Sequence, residues 1–211
     1  MNIALIGASG FVGSAVLEEA VARGHKVTAI VRDTGKVAKF DGVTAVKADV
    51  TEAGAVNSAI AGSDVVISAF NGGWGDPEIY AKHLGGSKAI AVSAKAEGKR
   101  IIAIGGAGSL EIGGKQLVDS PEFPAEYKDG ARAARDALAD LRTQTDLEWS
   151  FVSPPINLFP GERTGQFRIG GDQPVFDDKG QSAISVQDLA VAILDEAEAP
   201  RHTGKRFTAG Y

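Results

Sequence analysis

Three glycines spaced two residues apart, in the run Gly7-Ala8-Ser9-Gly10-Phe11-Val12-Gly13, are the first residues in the chain whose type and spacing suggest chemistry. A short apolar stretch, Asn2–Ile6, leads into them, and an amphipathic stretch follows, so they sit where a strand turns into a helix. At such a turn Gly7 permits a tight reversal, and Gly10 lets a pyrophosphate approach the backbone. Gly13 lets the helix lie close to the strand, while the first helical amides face the anion. The expected chemistry is capture of a dinucleotide by its phosphates, the alternative being a plain glycine-rich turn. The spacing is G-x-x-G-x-x-G rather than the commoner G-x-G-x-x-G.

A second strand, Lys26–Val31, ends at Arg32, 19 positions after Gly13. An acidic residue there accepts from the ribose 2′-hydroxyl of NAD, whereas a guanidinium presents a planar fork to the 2′-phosphate of NADP. Arg32 therefore points to NADP(H). Asp33 beside it could instead serve NAD(H), and Arg32 could be no more than a solvated turn residue.

The elements that must position these residues alternate in type. Further strands are expected at Thr44–Lys47, Asp64–Ser68, Arg100–Ile104 and Glu148–Val152, with a last one at Arg206–Ala209. The first helix spans Phe11–Arg23, with Val12, Val16 and Ala20 on one stripe and Gly24 as its stop. A second begins at the Asp76-Pro77 cap and reaches Glu97, weakened in the middle by Gly85 and Gly86. A third covers Ala125–Thr143, and a fourth starts at a capping-box-like Ser185 with Asp188 three residues on. Strands alternating with helices give an α/β fold, a Rossmann-type doubly wound parallel sheet in a single domain over 1–211. Two Gly- and Pro-rich segments, 105–124 and 153–182, break the rhythm after predicted strands. Both emerge at the carboxyl edge of the sheet, where ligands of open α/β sheets bind, so the substrate pocket is expected between them.

Composition narrows the function classes. The 211 residues carry 22 Lys and Arg against 27 Asp and Glu, a net charge of −5 that disfavours non-specific grip on nucleic acid. No cysteine is present, and His25, His83 and His202 are scattered, so thiolate chemistry is excluded and no sequence-local metal site is expected. No signal-like or membrane-spanning apolar run is evident, and a soluble cytoplasmic protein acting on a small molecule is expected.

The stretches GASGFVGS, IIAIGGAGSL, WSFVSPP, FPGERTG and AISVQDLAVAILDE together resemble the atypical branch of the short-chain dehydrogenase/reductase superfamily. The later ones are most similar to the NADH–flavin reductase-like group and its NmrA-like and biliverdin reductase B-like NAD(P)H-binding relatives. The resemblance implies that Asp49 and Val50 border the adenine ring and that Ala69, Phe70 and Asn71 run past the cofactor ribose, although the latter three could form an ordinary β-to-α loop. It adds Gly105, Gly106 and Pro154 to the cofactor site. Ser109 stands where the superfamily often has a substrate-contacting hydroxyl, or it is a turn serine. Tyr127 could hydrogen-bond substrate or be structural. Arg163 could touch ligand or fix its loop through Glu162 or another acid, and Phe159, Pro160, Pro154 and Pro155 could form an apolar wall or pack the loop onto the sheet.

The superfamily's Tyr-x-x-x-Lys pair is absent, since none of Tyr80, Tyr127 and Tyr211 has Lys four residues later. Tyrosine-assisted carbonyl chemistry is thereby disfavoured. The expected activity is NADPH-dependent reduction of a flat acceptor, a flavin or a quinone. The alternatives are a non-catalytic NADP-sensing module like NmrA and, less favoured, an NAD-dependent epimerase or dehydratase.

Overall fold

The computed structural model describes residues 1–52 and 54–211. Among the described residues twelve strands occur: β1 Asn2–Ile6, β2 Lys26–Val31, β3 Val43–Lys47, β4 Val65–Ser68, β5 Arg100–Ile104, β6 Glu111–Ile112, β7 Lys115–Gln116, β8 Trp149–Ser153, β9 Asn157–Phe159, β10 Arg168–Gly170, β11 Ala183–Ser185 and β12 Lys205–Gly210. Five helices intervene: α1 Phe11–Ala22, α2 Asn57–Ile60, α3 Ile79–Ala96, α4 Ala125–Arg142 and α5 Val186–Glu198. Eight strands form one sheet in the order β10-β12-β8-β5-β4-β1-β2-β3, parallel throughout except for β10 on β12. The chain starts at β1, runs outward to β3, then returns to β4 on the other side of β1. The switch point between β1 and β4 is where such sheets open a ligand crevice beyond their carboxyl ends.

Burial on both faces explains why the strands read as near-continuous apolar runs. From β1, Ile3 and Leu5 enter the core under α1 and α5, while Ala4 and Ile6 enter the one under α2, α3 and α4. From β5 and β8, Ile102 and Val152 join the first core, and Ile101, Trp149 and Phe151 join the second. Among the described residues no helix is long and apolar enough to cross a membrane.

The two segments expected to be long irregular loops contain ordered elements. The first holds a 3-10 turn at Ala107–Ser109 and a β6–β7 hairpin, whose Gly113 and Gly114 have φ of 59° and 77°. Left-handed conformation at both central residues is the two-residue hairpin geometry that favours glycine. The second supplies β10 as an antiparallel edge, and β9 with β11 as a small parallel pair. Two- and three-residue strands carry too little alternation to register as a periodic pattern, and the partners of β9 and β10 lie far along the chain.

The helix over 79–96 runs through Gly85 and Gly86 without a break. Gly86 has a packing reason: a Cβ there would lie 2.4 Å from Phe70 Cε1. Its start lies later than the Asp76-Pro77 cap suggests. Asp76 accepts from the Glu78 amide (2.8 Å) and from Lys82 Nζ (2.6 Å), organising the turn before the helix.

At the amino edge of the sheet one buried carboxylate ties together three elements. Glu196 of α5 accepts from Arg100 (2.7 Å), Ser150 Oγ (2.7 Å) and the amides of Arg201 (3.0 Å) and His202 (3.1 Å), with His202 Nδ1 at 2.7 Å. Burial works to raise its pKa, but the bonds from Ser150, His202 and the two amides outweigh that and hold it below the usual glutamate value. Removing one partner of a buried pair strands the other charge. Glu196→Ala is therefore expected to lower stability by about 3 kcal/mol or more, read as a shift in the urea unfolding midpoint at neutral pH.

Candidate active site

The glycine turn is built by contacts that leave no space for side chains. Gly7 has φ of 79°, its amide donates to Ile30 O (3.0 Å), and a Cβ on it would lie 2.6 Å from Ala69 O. At Gly13 a Cβ would lie 2.0 Å from Gly7 O, so the first turn of α1 rests directly on the backbone of the loop. Gly10 differs. Its φ is −83°, and the nearest atom to an added Cβ is Gly7 O at 3.4 Å, so open space lies in front of it. No side chain caps α1 and no acidic residue stands in its first turn. The amides of Phe11, Val12 and Gly13, which a helix leaves without internal partners, face outward beside Gly10. Open backbone, uncapped amides and the positive end of a helix dipole fit a phosphate group.

Arg32 follows β2, is exposed, and has no hydrogen bond or ion pair among the described residues. Asp33 is engaged: its Oδ1 accepts from the Gly35 amide at 3.0 Å, capping the 3-10 turn Thr34–Lys36. Asp49 accepts from the amide (3.0 Å) and hydroxyl (2.7 Å) of Thr51, bonds that hold its pKa below the usual aspartate value with help from the nearby Arg32 charge. Val50 is buried in the core beside Gly86. Ala69 lies against the glycine turn, and Asn71 Oδ1 accepts from the Gly73 amide at 2.8 Å. Phe70 covers Gly86 and stacks on the buried His83, ring centroids 5.8 Å apart.

At the end of β5, Gly105 accommodates the Phe151 ring, which an added Cβ would meet at 2.1 Å, while Gly106 faces open space. Pro154 and Pro155 after β8 are buried. Ser109 is not presented to the crevice. It is 2% exposed, and its Oγ (3.1 Å) and carbonyl (2.7 Å) both accept from Arg206 Nη1. The same buried guanidinium donates through Nε to Asp172 Oδ1 (2.9 Å) and through Nη2 to the same carboxylate. Arg206 thus fastens the loop after β5 to the loop carrying β10, and the serine expected at the substrate belongs to that clamp.

Arg163 has a similar outcome. It makes a two-pronged ion pair with Glu19 on α1, 2.6 Å through Nε and 2.8 Å through Nη2. That pairing holds the Glu19 pKa below its ordinary value against the opposing effect of burial, with Arg23 assisting. The loop-fixing alternative describes this arginine, with Glu19 rather than Glu162 as partner. The rest of the Gly-Glu-Arg-Thr-Gly run is held by Asp188, which accepts from the amides of Thr164 (2.8 Å) and Gly165 (2.7 Å), from Thr164 Oγ1 (2.5 Å) and from Tyr211 OH (2.8 Å). Only half of the expected capping box forms. Ser185 Oγ accepts from the Asp188 amide at 3.0 Å, but the Asp188 carboxylate turns to the loop. Phe159 packs toward Tyr211, centroids 6.5 Å apart, inside this assembly.

Tyr127 opens α4 at the carboxyl edge, half exposed, with no hydrogen bond to its hydroxyl among the described residues. The other two tyrosines are committed, Tyr80 to Asp136 (2.7 Å) and Tyr211 to Asp188. Trp74 touches Tyr127 edge to face, a contact the motifs do not indicate. Its only sequence signal is its place between Gly73 and Gly75. No group of His, Asp and Glu able to hold a metal ion occurs among the described residues.

The profile of a family described as NAD(P)H-binding matches residues 7–200. The Bacillus subtilis protein YwnB, described as uncharacterised, is 40% identical over 212 residues, covering 99% of this chain and 97% of its own. A solved structure from Bacteroides thetaiotaomicron, provisionally named an epimerase, superposes with TM-score 0.93 at 42% identity, over 100% of this chain and 96% of that one. One from Streptococcus pneumoniae, provisionally named an NADH–flavin reductase, has TM-score 0.88 at 36% identity, over 100% and 99%.

Two expectations follow from this geometry. Gly10→Val has room in the protein and an ordinary φ, so it should fold normally yet lose NADPH binding, because the new side chain fills the space before the uncapped amides. Equilibrium titration beside a thermal melt checks this, and wild-type affinity in the variant would reduce the turn to a structural role. The second concerns His83, whose pKa burial depresses from 6.5 to about 4. The unfolded chain gains that proton near pH 6.5 and the folded chain only near pH 4. The stabilisation is thus complete above pH 6.5 and is lost as pH falls toward 4, by on the order of 3 kcal/mol. Urea unfolding across that range should show a shallower pH dependence in His83→Gln.

Proposed function

The chain belongs to this NAD(P)H-binding family, and from that premise we propose that it is an NADPH-dependent reductase of a flat electron acceptor, a flavin or a quinone. The observation that carries the reading is a dinucleotide cradle with no tyrosine–lysine pair beside it. Two of the three tyrosine hydroxyls are bound to carboxylates, and Tyr127 has no lysine one helical turn on. When bound, the nicotinamide supplies a hydride to the acceptor and leaves as its oxidised form, with the balancing proton drawn from water. The protein's part is then to bind, orient and shield. The uncapped amides after Gly10 hold the pyrophosphate, the Asp49–Val50 and Ala69–Asn71 backbones border the crevice, and Arg206 and Asp188 keep the flanking loops in place.

Preference for NADP(H) over NAD(H) is supported by the state of two neighbours. Arg32 is exposed and has no ion pair among the described residues, whereas Asp33 already caps the following turn. A guanidinium in that condition can meet a 2′-phosphate without first breaking an ion pair. The likeness to the Streptococcus protein supports a flavin-type acceptor, and the missing tyrosine pair weighs against the epimerase chemistry suggested by the name of the Bacteroides protein.

NADPH and NADH oxidation against a panel of flavins, quinones and small carbonyls tests the reading. Turnover with flavins or quinones and a preference for NADPH are expected, and Arg32→Ala should remove most of that preference, about 10- to 150-fold in relative affinity. NADPH binding without turnover of any acceptor would overturn the reductase reading in favour of a sensing module. Equal affinities for the two cofactors would overturn the role of Arg32.

A further inference from the structure

Trp74 and Tyr127 meet edge to face, ring centroids 5.6 Å apart at 88°, and are 59% and 50% exposed. The other tryptophan, Trp149, is buried. A tryptophan this open is uncommon on a surface that contributes nothing to binding, because the ring is among the largest apolar groups a protein can hide. Here the backbone is arranged to keep it open. Gly73 and Gly75 on either side have φ of 108° and 82°, conformations that other residues rarely adopt, so the indole rides the tip of a turn that needs both glycines. Within α4, Gly130 leaves the space that the indole edge occupies: a Cβ there would lie 2.7 Å from Trp74 Cζ3. Glycine inside a helix is less stable than alanine, a penalty the fold accepts where the ring is seated.

The pair stands at the carboxyl edge. Trp74 lies in the loop after β4, the same loop whose Ala69 carbonyl rests against Gly7, and Tyr127 lies in the first turn of α4, the element that follows the β5 loop. The platform therefore stands at the same edge of the sheet as the glycine turn. Its polar atoms select a chemistry: neither the indole N–H nor the Tyr127 hydroxyl has a hydrogen-bond partner among the described residues. Because the two rings are perpendicular, one open indole face can stack on a planar conjugated ring while the phenol meets that ring's edge, and the two free donors suit carbonyl oxygens there.

We propose that Trp74 and Tyr127 form the platform for the hydride acceptor, the indole face stacking on it and the Tyr127 ring flanking its edge, the acceptor being a fused-ring compound with edge carbonyls such as an isoalloxazine or a naphthoquinone. The inference rests on the reductase reading above and assigns its acceptor site. The aromatic rings supply the affinity, and the two donors supply orientation.

The test is equilibrium titration of riboflavin and of menadione into the protein saturated with NADP+, alongside NADPH affinity, circular dichroism and steady-state acceptor kinetics. Trp74→Ala and Tyr127→Ala should each weaken acceptor binding about tenfold, while Trp74→Phe and Tyr127→Phe, which keep a ring, should lose about threefold or less. NADPH affinity and the folded spectrum should stay at wild-type values in all four. Acceptor affinities and KM values unchanged in both alanine variants, in a protein that does reduce these acceptors, would overturn the platform and leave the reductase reading standing. Failure of the wild-type protein to bind or reduce either acceptor would overturn both. A thousandfold fall in kcat for Tyr127→Phe with acceptor affinity intact would also overturn the platform, since it would make the hydroxyl a proton donor rather than a rim contact.

Discussion

The structure depends on the closeness of three stretches of backbone: the end of β1, the first turn of α1 and the residue after β4. An added Cβ at Gly13 would collide with Gly7 O at 2.0 Å, and one at Gly7 with Ala69 O at 2.6 Å. Because those contacts involve main chain, no rotamer change can relieve them, and the turn has essentially one shape. That shape aims the uncapped amides of α1 past Gly10 into the open crevice. It also sets the β4 loop beside the turn, so the loop that carries Phe70, Asn71 and Trp74 is positioned by the phosphate cradle itself. The turn at the start of α1 and the loop after β4 therefore share one rigid origin.

Two buried side chains complete the wall that this origin leaves open. Arg206 holds the β5 loop through Ser109 and the β10 loop through Asp172, while Asp188 gathers the turn around Thr164 and Gly165 with three hydrogen bonds and accepts a fourth from Tyr211. Both are charged groups inside the protein, tolerable only because each has several partners of suitable geometry. Neither presents a reactive atom to the crevice. The motif Gly-Glu-Arg-Thr-Gly, whose residues invite a catalytic reading, is thus scaffolding: its arginine grips Glu19 across α1, and its threonine and second glycine grip Asp188.

The strands and helices of the sheet were legible because their information is local. Asn2–Ile6, the glycine turn and the apolar stripe of α1 lie within about two dozen consecutive residues, and a periodic pattern over that length specifies the unit almost to its ends. The differences at β3, β4, β8 and β12 are single residues at element boundaries. Ser109 and Arg163 were harder to place because the atoms that decide their roles are remote: Arg206 lies 97 residues from Ser109, and Glu19 lies 144 residues from Arg163. Asp33, read in the sequence only as an alternative contact for NAD(H), caps the turn after it, as an aspartate two residues before a glycine commonly does. Trp74 went unread for a different reason. A lone aromatic in a loop carries no periodicity, and only the paired glycines around it and the distant Gly130 reveal that its exposure is built into the backbone.

Seen as chemistry, the carboxyl edge holds many ways to bind and few ways to transfer a proton. Four of its carboxylates are occupied, with Asp33 and Asp49 capping turns and Asp188 and Asp172 holding loops. Its one histidine, His83, is buried and neutral at physiological pH, with Nδ1 facing the Gly72 amide at 3.3 Å. A reaction that needs a strong protein acid has little to work with in this arrangement. Hydride transfer to an acceptor whose own ring stabilises the added electrons asks mainly for two flat surfaces held face to face with water excluded. On the reading proposed above, the rigid cradle and the aromatic pair would meet that requirement, and selection among acceptors would fall to ring shape and edge hydrogen bonds rather than to acid–base groups.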